Sequence, residues 1–177
     1  TRNSETGHWH QLWQTGAISP SHEHFITNLI KQKIHIQTEL MQRDSTPQIN
    51  ASTFVLYLPE NEIHELSILF LNYYVLNNGF KTIFLGQSIP TISLKTLLSY
   101  SPSLHFVTYV TVEPNKEEIN DYLAHFNKEL IENTANQLSI FGPQVQYIDK
   151  TLVASGINVY DKIEDFVEEQ LNLSVFV

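Results

Sequence analysis

The sequence predicts an α/β protein: a helical segment, part of a helix bundle, followed by a flavodoxin- or Rossmann-like domain with a five-stranded parallel sheet. Three observations carry this. From Thr53 onward, short β-branched and aromatic runs alternate with longer stretches of helical spacing. Such alternation builds a parallel sheet covered on both faces. Before that point, apolar residues recur at helical spacing only. Between the two parts, Asp44-Ser45-Thr46-Pro47-Gln48-Ile49-Asn50-Ala51-Ser52 is polar and carries a proline, as linkers do. The expected division is a helical cap over 1–43, a linker over 44–52 and the α/β domain over 53–177.

Taken in order, His8 to Gln14 reads as a short helix with Trp9, Leu12 and Trp13 on its apolar side, and Gly16 is a natural C-terminal stop. Ser19-Pro20 then reads as an N-cap and first helical residue. From Pro20 to about Met41, Phe25, Ile26, Leu29, Ile30, Ile34 and Leu40 recur at helical spacing. The connection is short, so the two helices are expected side by side and antiparallel. Trp13 lies about a turn before the connection and Glu23-His24 about a turn after it, so their side chains can meet at one end of the pair. One hairpin has no adequate core and needs further helices or packing on the second domain.

In the second part, Thr53 to Leu58 suits a buried parallel strand, and Pro59-Glu60-Asn61 breaks it. A helix is expected from about Glu62 to Asn77, ended by Asn78-Gly79. Strands are expected next at Thr82–Leu85, His105–Val110, Leu138–Phe141 and Ile157–Tyr160. The intervening helices are expected near Leu94–Tyr100 and Lys116–Thr134, with a short one after Pro143 and a last one over Asp161–Leu171. This alternation suits a flavodoxin-like strand order of 2-1-3-4-5, and ligands of such sheets bind beyond the carboxyl ends of the strands. The loops there are Pro59 to Ser67, Gly86-Gln87-Ser88, Thr111 to Asn115 and Gly142-Pro143.

Composition excludes several chemistries. The 177 residues hold no cysteine, so a disulfide framework, a thiolate metal site and a cysteine nucleophile are all impossible; the absence suits a reducing cytoplasm. No apolar run approaches the ~20 residues that span a bilayer. The formal net charge of −9 opposes nucleic-acid binding by this chain alone. His8 with His10, and His22 with His24, are two apart, whereas helical ligand pairs sit three or four apart, so zinc is not expected. Glu164-Asp165-Phe166-Val167-Glu168-Glu169 reads as a solvated helix face. There is no Walker loop, nucleophile elbow or dinucleotide fingerprint. The chain begins Thr1-Arg2 without an initiator Met and is read as a fragment of a longer protein.

Two separated motifs remain: Trp13, nine intervening residues, then Glu23-His24; and Glu62-Ile63-His64-Glu65-Leu66-Ser67 directly after the first strand. The second resembles the Asp-x-His-x-x-Gly loop of cobalamin-binding α/β domains. The two together resemble the effector domain of MerR-type transcription regulators that bind cobalamin, the light-responsive ones included. The resemblance covers roughly residues 8 to 171. It implies that His64 is the lower ligand of cobalt, that Glu62 orients it, and that Ser67 stands where the family has glycine. It also matches Gly86 to the glycine after strand two, Thr108-Tyr109-Val110 to the family's Ser-x-Leu, and Gly142 with Pro143 to its Gly-Gly. Trp13, Glu23 and His24 would face the upper side of the cobalamin, near the adenosyl group of adenosylcobalamin, and Gln14 replaces the histidine many members carry there. The resemblance further implies a sensor and not an enzyme, in a homo-oligomer, with DNA bound only through an upstream helix-turn-helix outside this segment. The alternatives are a corrinoid carrier domain of a methyltransferase or mutase, and a degenerate sensor that keeps the fold and binds no cobalamin.

Overall fold

The computed structural model describes residues 19–44 and 53–171. The expected helix at His8–Gln14, with Trp13 and Gln14, lies outside the described residues, as does the linker after Asp44. Five strands form one all-parallel sheet: β1 Thr53–Pro59, β2 Lys81–Ile89, β3 Leu104–Tyr109, β4 Gln137–Phe141 and β5 Ile157–Val159. Their order is β2-β1-β3-β4-β5, the order the sequence predicts. The helices are α1 Pro20–Asp44, α2 Leu66–Asn77, α3 Thr91–Leu94, α4 Ile119–Phe126 and α5 Ile163–Gln170.

The central strands are buried on both faces, which is why they read as continuous apolar runs rather than alternating ones. Alternate residues divide between two cores. Val55, Tyr57, Phe106 and Ile140 face Leu94, Leu123 and Phe126. Phe54, Leu56, Leu58 and Phe141 face Ile68, Leu71 and Phe166. Helix α1 lies along α2. Lys31 Nζ meets Glu65 Oε1 at 2.8 Å near one end, and Gln42 shares a groove with Thr53, Leu76 and Lys81 near the other. The two helices therefore run in the same direction. The turns of α1 before Lys31 must then project past the carboxyl edge of the sheet.

The element boundaries differ from expectation for local reasons. Helix α2 starts at Leu66, not Glu62, because Ile63 N and His64 N turn back onto the Glu62 carboxylate and Asn61 takes a φ of 67°. Strand β2 is longer than its apolar run, and it passes through a register shift where Tyr57 pairs with Gly86. The stretch Thr91–Ser99 is one α-helical turn continued as a 3-10 turn. The long helix expected over Lys116–Thr134 shortens to α4 plus a wide π-turn at Asn127–Ile131. Thr134 Oγ1 ends it by donating to Leu130 O and Ile131 O. Pro143–Tyr147 forms the short helix expected there, as a 3-10 turn. Among the described residues no helix is long and apolar enough to cross a membrane.

Candidate functional site

Strand β1 ends at Pro59, and the chain then turns so that Glu62 points inward and His64 outward. Two hydrogen bonds hold that turn against the end of β2. Asn61 N donates to Ser88 Oγ at 3.1 Å, and Ser88 N donates to Glu62 O at 3.1 Å. Asn61 and Ser88 both adopt positive φ, which Asn tolerates better than most residues and which marks a constrained crossing.

The Glu62 side chain is fully buried and fully satisfied. Its Oε2 accepts the backbone N–H groups of Thr111, Val112 and Glu113 at 2.9, 2.7 and 3.0 Å. Its Oε1 accepts the N–H groups of Ile63 and His64 at 2.9 and 3.0 Å, and the ring Nδ1 of His64 at 2.6 Å. Burial alone pushes this carboxyl up; the donors from Val112, Glu113 and His64 outweigh it and hold it at about 2. Glu62 is thus a fixed anion. It stitches the loop after β1 to the loop after β3.

For His64 this has a direct consequence. A carboxylate at Nδ1 makes that nitrogen the protonated one and leaves Nε2 with its lone pair. The ring is half exposed, at 52%, so Nε2 is open to a ligand. The same hydrogen bond fixes the orientation of the ring, as second partners of metal-bound histidines do. Ile63 and Val112 flank it and are also exposed, at 60% and 48%. The result is one nitrogen donor set among exposed apolar side chains, on loops pinned to a buried anion.

The other expected residues are spread around this centre. Ser67 is half-buried in the first turn of α2 with ordinary right-handed backbone, so serine suffers no conformational strain there. Gly86 has φ +80°, and a Cβ there would meet only Phe84, at 3.8 Å. Gly142 has φ +107°, and a Cβ would lie 2.5 Å from Val110 O, so the end of β4 is packed onto backbone. Thr108 is fully buried, pairs in register with Tyr57 and therefore shares its face of the sheet. The neighbour that lines a cleft at the carboxyl edge is Tyr109. Glu23 is half-buried and His24 exposed in the first turn of α1. Glu23 precedes Lys31 by eight residues, about 12 Å along a helix, so both stand over the same edge as His64 without joining its hydrogen bonds. Trp13 lies outside the described residues. No cluster of three or more His, Asp or Glu that could hold a bare metal ion occurs among the described residues.

Sequence reasoning missed the three amides at Thr111–Glu113. Backbone donors leave no residue signature; the exposed Val112 is the one hint. It also passed over the buried pair His105 Nε2 and Ser139 Oγ, 2.8 Å apart. Burial drives His105 down to about 4, so it is neutral and structural.

No protein-family model matches the chain. No curated protein sequence matches it either. Among solved structures, the chain is similar to the monomethylamine corrinoid protein of Methanosarcina barkeri, with a TM-score of 0.64 and 13% identity over 86% of this chain and 70% of that one. At such identity the likeness establishes a shared fold.

Proposed function

We propose that this chain is a corrinoid-binding domain with His64 as the lower cobalt ligand, and that it serves as the effector-sensing part of a MerR-type regulator. The observation that carries this is the Glu62–His64 pair: a buried carboxylate, ionised at neutral pH, presenting an outward Nε2 at the carboxyl end of the first strand. The topological position is the one where open parallel sheets bind ligands. The corrinoid protein that shares the fold supports the ligand class.

The chain's residues suit the lower face of such a ligand. Imidazole is a good donor to a borderline metal, and the Glu62 carboxylate at Nδ1 keeps the ring aligned with Nε2 outward. Ile63 and Val112 offer apolar surface beside it. On the far side, Phe25, Ile26, Leu29 and Ile30 stand exposed on the projecting turns of α1, with Glu23 and His24 beyond them. A bound adenosylcobalamin would supply a bulky organic group on the side of α1, and its presence or loss would change what α1 can pack against. That is differential interaction with two states, which is all a sensor requires.

The sensor role, as opposed to a carrier role, rests on the Trp13…Glu23-His24 pattern. A carrier reading is equally consistent with the corrinoid protein that shares the fold. Titration with hydroxo- and adenosylcobalamin followed by absorbance tests the site. Wild type is expected to shift the corrin bands, and His64→Ala to abolish the shift. An identical shift in the variant removes His64 from cobalt. Sedimentation with and without adenosylcobalamin separates the roles: a sensor changes its association state, and a carrier does not.

A further inference from the structure

We infer that Gln144 is a positioning residue for His64, acting through two peptide groups and the Glu62 carboxylate; this rests on the reading of His64 as the cobalt ligand. Three amides of the loop after β3 converge on Glu62 Oε2, and a surface loop does not aim three amides unaided. The turn after β4 holds two of them from behind.

Gln144 N donates to Val110 O at 3.2 Å, and Gln144 Nε2 donates to Thr111 O at 3.3 Å. Val110 O belongs to the same peptide group as Thr111 N, and Thr111 O to the same group as Val112 N. A trans peptide is planar, with its C=O and N–H pointing opposite ways. A donor on the oxygen therefore fixes where the hydrogen points. One residue thus grips the back of both peptide groups whose fronts hold Glu62, at 2.9 and 2.7 Å. Each such bond also polarises its peptide and strengthens the next bond in the chain.

Gln144 is itself firmly held. Val110 N donates to Phe141 O at 2.8 Å, and Val145 N donates to Gly142 O at 3.1 Å, so the turn is tied on both sides of Gln144. Gly142, at φ +107°, brings it onto the Val110 backbone, where a Cβ would lie 2.5 Å from Val110 O. The chain of bonds then runs from this turn through Thr111 and Val112 to Glu62, and from Glu62 Oε1 to His64 Nδ1 at 2.6 Å. Gln146 carries the same side chain in the same turn, but its Nε2 donates to Pro143 O and not to the loop after β3. It is the natural control.

Gln144→Met removes the side-chain donor at nearly the same length, and Gln144→Glu keeps the shape but sets an acceptor against Thr111 O. Two readouts test them. Nitrogen NMR of the chain with labelled histidine, the ring neutral, reports which nitrogen of His64 carries the proton. Absorbance titration with diaquocobinamide reports the open Nε2. Both variants are expected to draw the two His64 nitrogen shifts together, as the second tautomer gains population, and to weaken cobinamide binding about threefold or more. Gln146→Met is expected to match wild type in both. Wild-type shifts and affinity in both Gln144 variants overturn the inference and leave the corrinoid reading standing. So does an equal change in Gln146→Met, which assigns the effect to the turn as a whole. So does loss of the folded state in both Gln144 variants, which makes the residue structural. A wild-type chain that binds no cobinamide overturns the corrinoid reading itself, and the nitrogen shifts then still decide whether Gln144 aims the ring.

Discussion

At the residue scale the site is organised by one carboxylate. Glu62 and His64 were legible because the loop after the first strand resembles the Asp-x-His-x-x-Gly loop of cobalamin-binding domains, and that resemblance implies the pairing. The cage around Glu62 was not, since it is built from amides of a loop some fifty residues away. Glu62→Gln turns one carboxylate oxygen into an NH₂ group facing three donors, whichever way the amide sits. A loss of about 2–4 kcal/mol is expected, seen as a fall in Tm of about 5–15 °C at neutral pH. The pH dependence has the same origin. The folded pKa, about 2, lies below the ordinary carboxylate value of 4.5. The unfolded chain therefore takes up the proton first, and this stabilisation, complete above about 4.5, is lost as pH falls toward 2. The two glycines make a second comparison. Gly142→Ala drives a Cβ onto Val110 O at 2.5 Å and is strained besides, so a loss of about 3 kcal/mol is expected. Gly86→Ala is strained but spatially open and should lose about 1–2 kcal/mol. Urea midpoints of the two variants check the order; equal losses would show that the Val110 contact carries nothing.

At the element scale, strands were read more faithfully than helices. Thr53–Leu58, His105–Val110 and Leu138–Phe141 are short apolar runs buried on both faces, and burial leaves the same mark whichever way each residue points. That indifference hid the facing of individual side chains: Thr108 shares the face of Tyr57, and Tyr109 the other. Helix starts were hidden because local side-chain-to-backbone hydrogen bonds hold the preceding residues in turns, Ile63 N and His64 N on Glu62 Oε1 before Leu66 and Glu117 N on Asn115 Oδ1 before Ile119. The layer between the sheet and α5 holds a titratable group, His105, stacked on Phe54 and edge-on to Phe166. Its folded pKa, about 4, lies below the ordinary 6.5. Stability from keeping it neutral is complete above about 6.5 and is lost as pH falls toward 4. Between pH 7 and pH 5 the loss should be about 2 kcal/mol, while Glu62 is still ionised in both states. Urea midpoints at the two pH values, compared with His105→Gln, measure it; an equal pH response in the variant would assign the effect elsewhere.

At the scale of the whole molecule, α1 runs beside α2 and carries an exposed apolar stretch past the carboxyl edge, over the loop that holds His64. The sequence showed α1 and its apolar positions but not its direction relative to α2, because the Lys31–Glu65 and Gln42–Leu76 proximities join distant segments. The net charge of −9 predicts no DNA binding by this chain alone at physiological salt, and a gel shift at micromolar protein would contradict that. The central claim is a protein imidazole on cobalt. Electron paramagnetic resonance of the chain loaded with cobalt(II) cobinamide tests it most directly, because cobinamide brings no axial base of its own. Ligation by His64 predicts a threefold nitrogen splitting of the cobalt lines that becomes twofold when histidine is labelled with nitrogen-15, and that disappears in His64→Ala. Cobalt lines without nitrogen splitting, or a splitting that persists in His64→Ala, would contradict it.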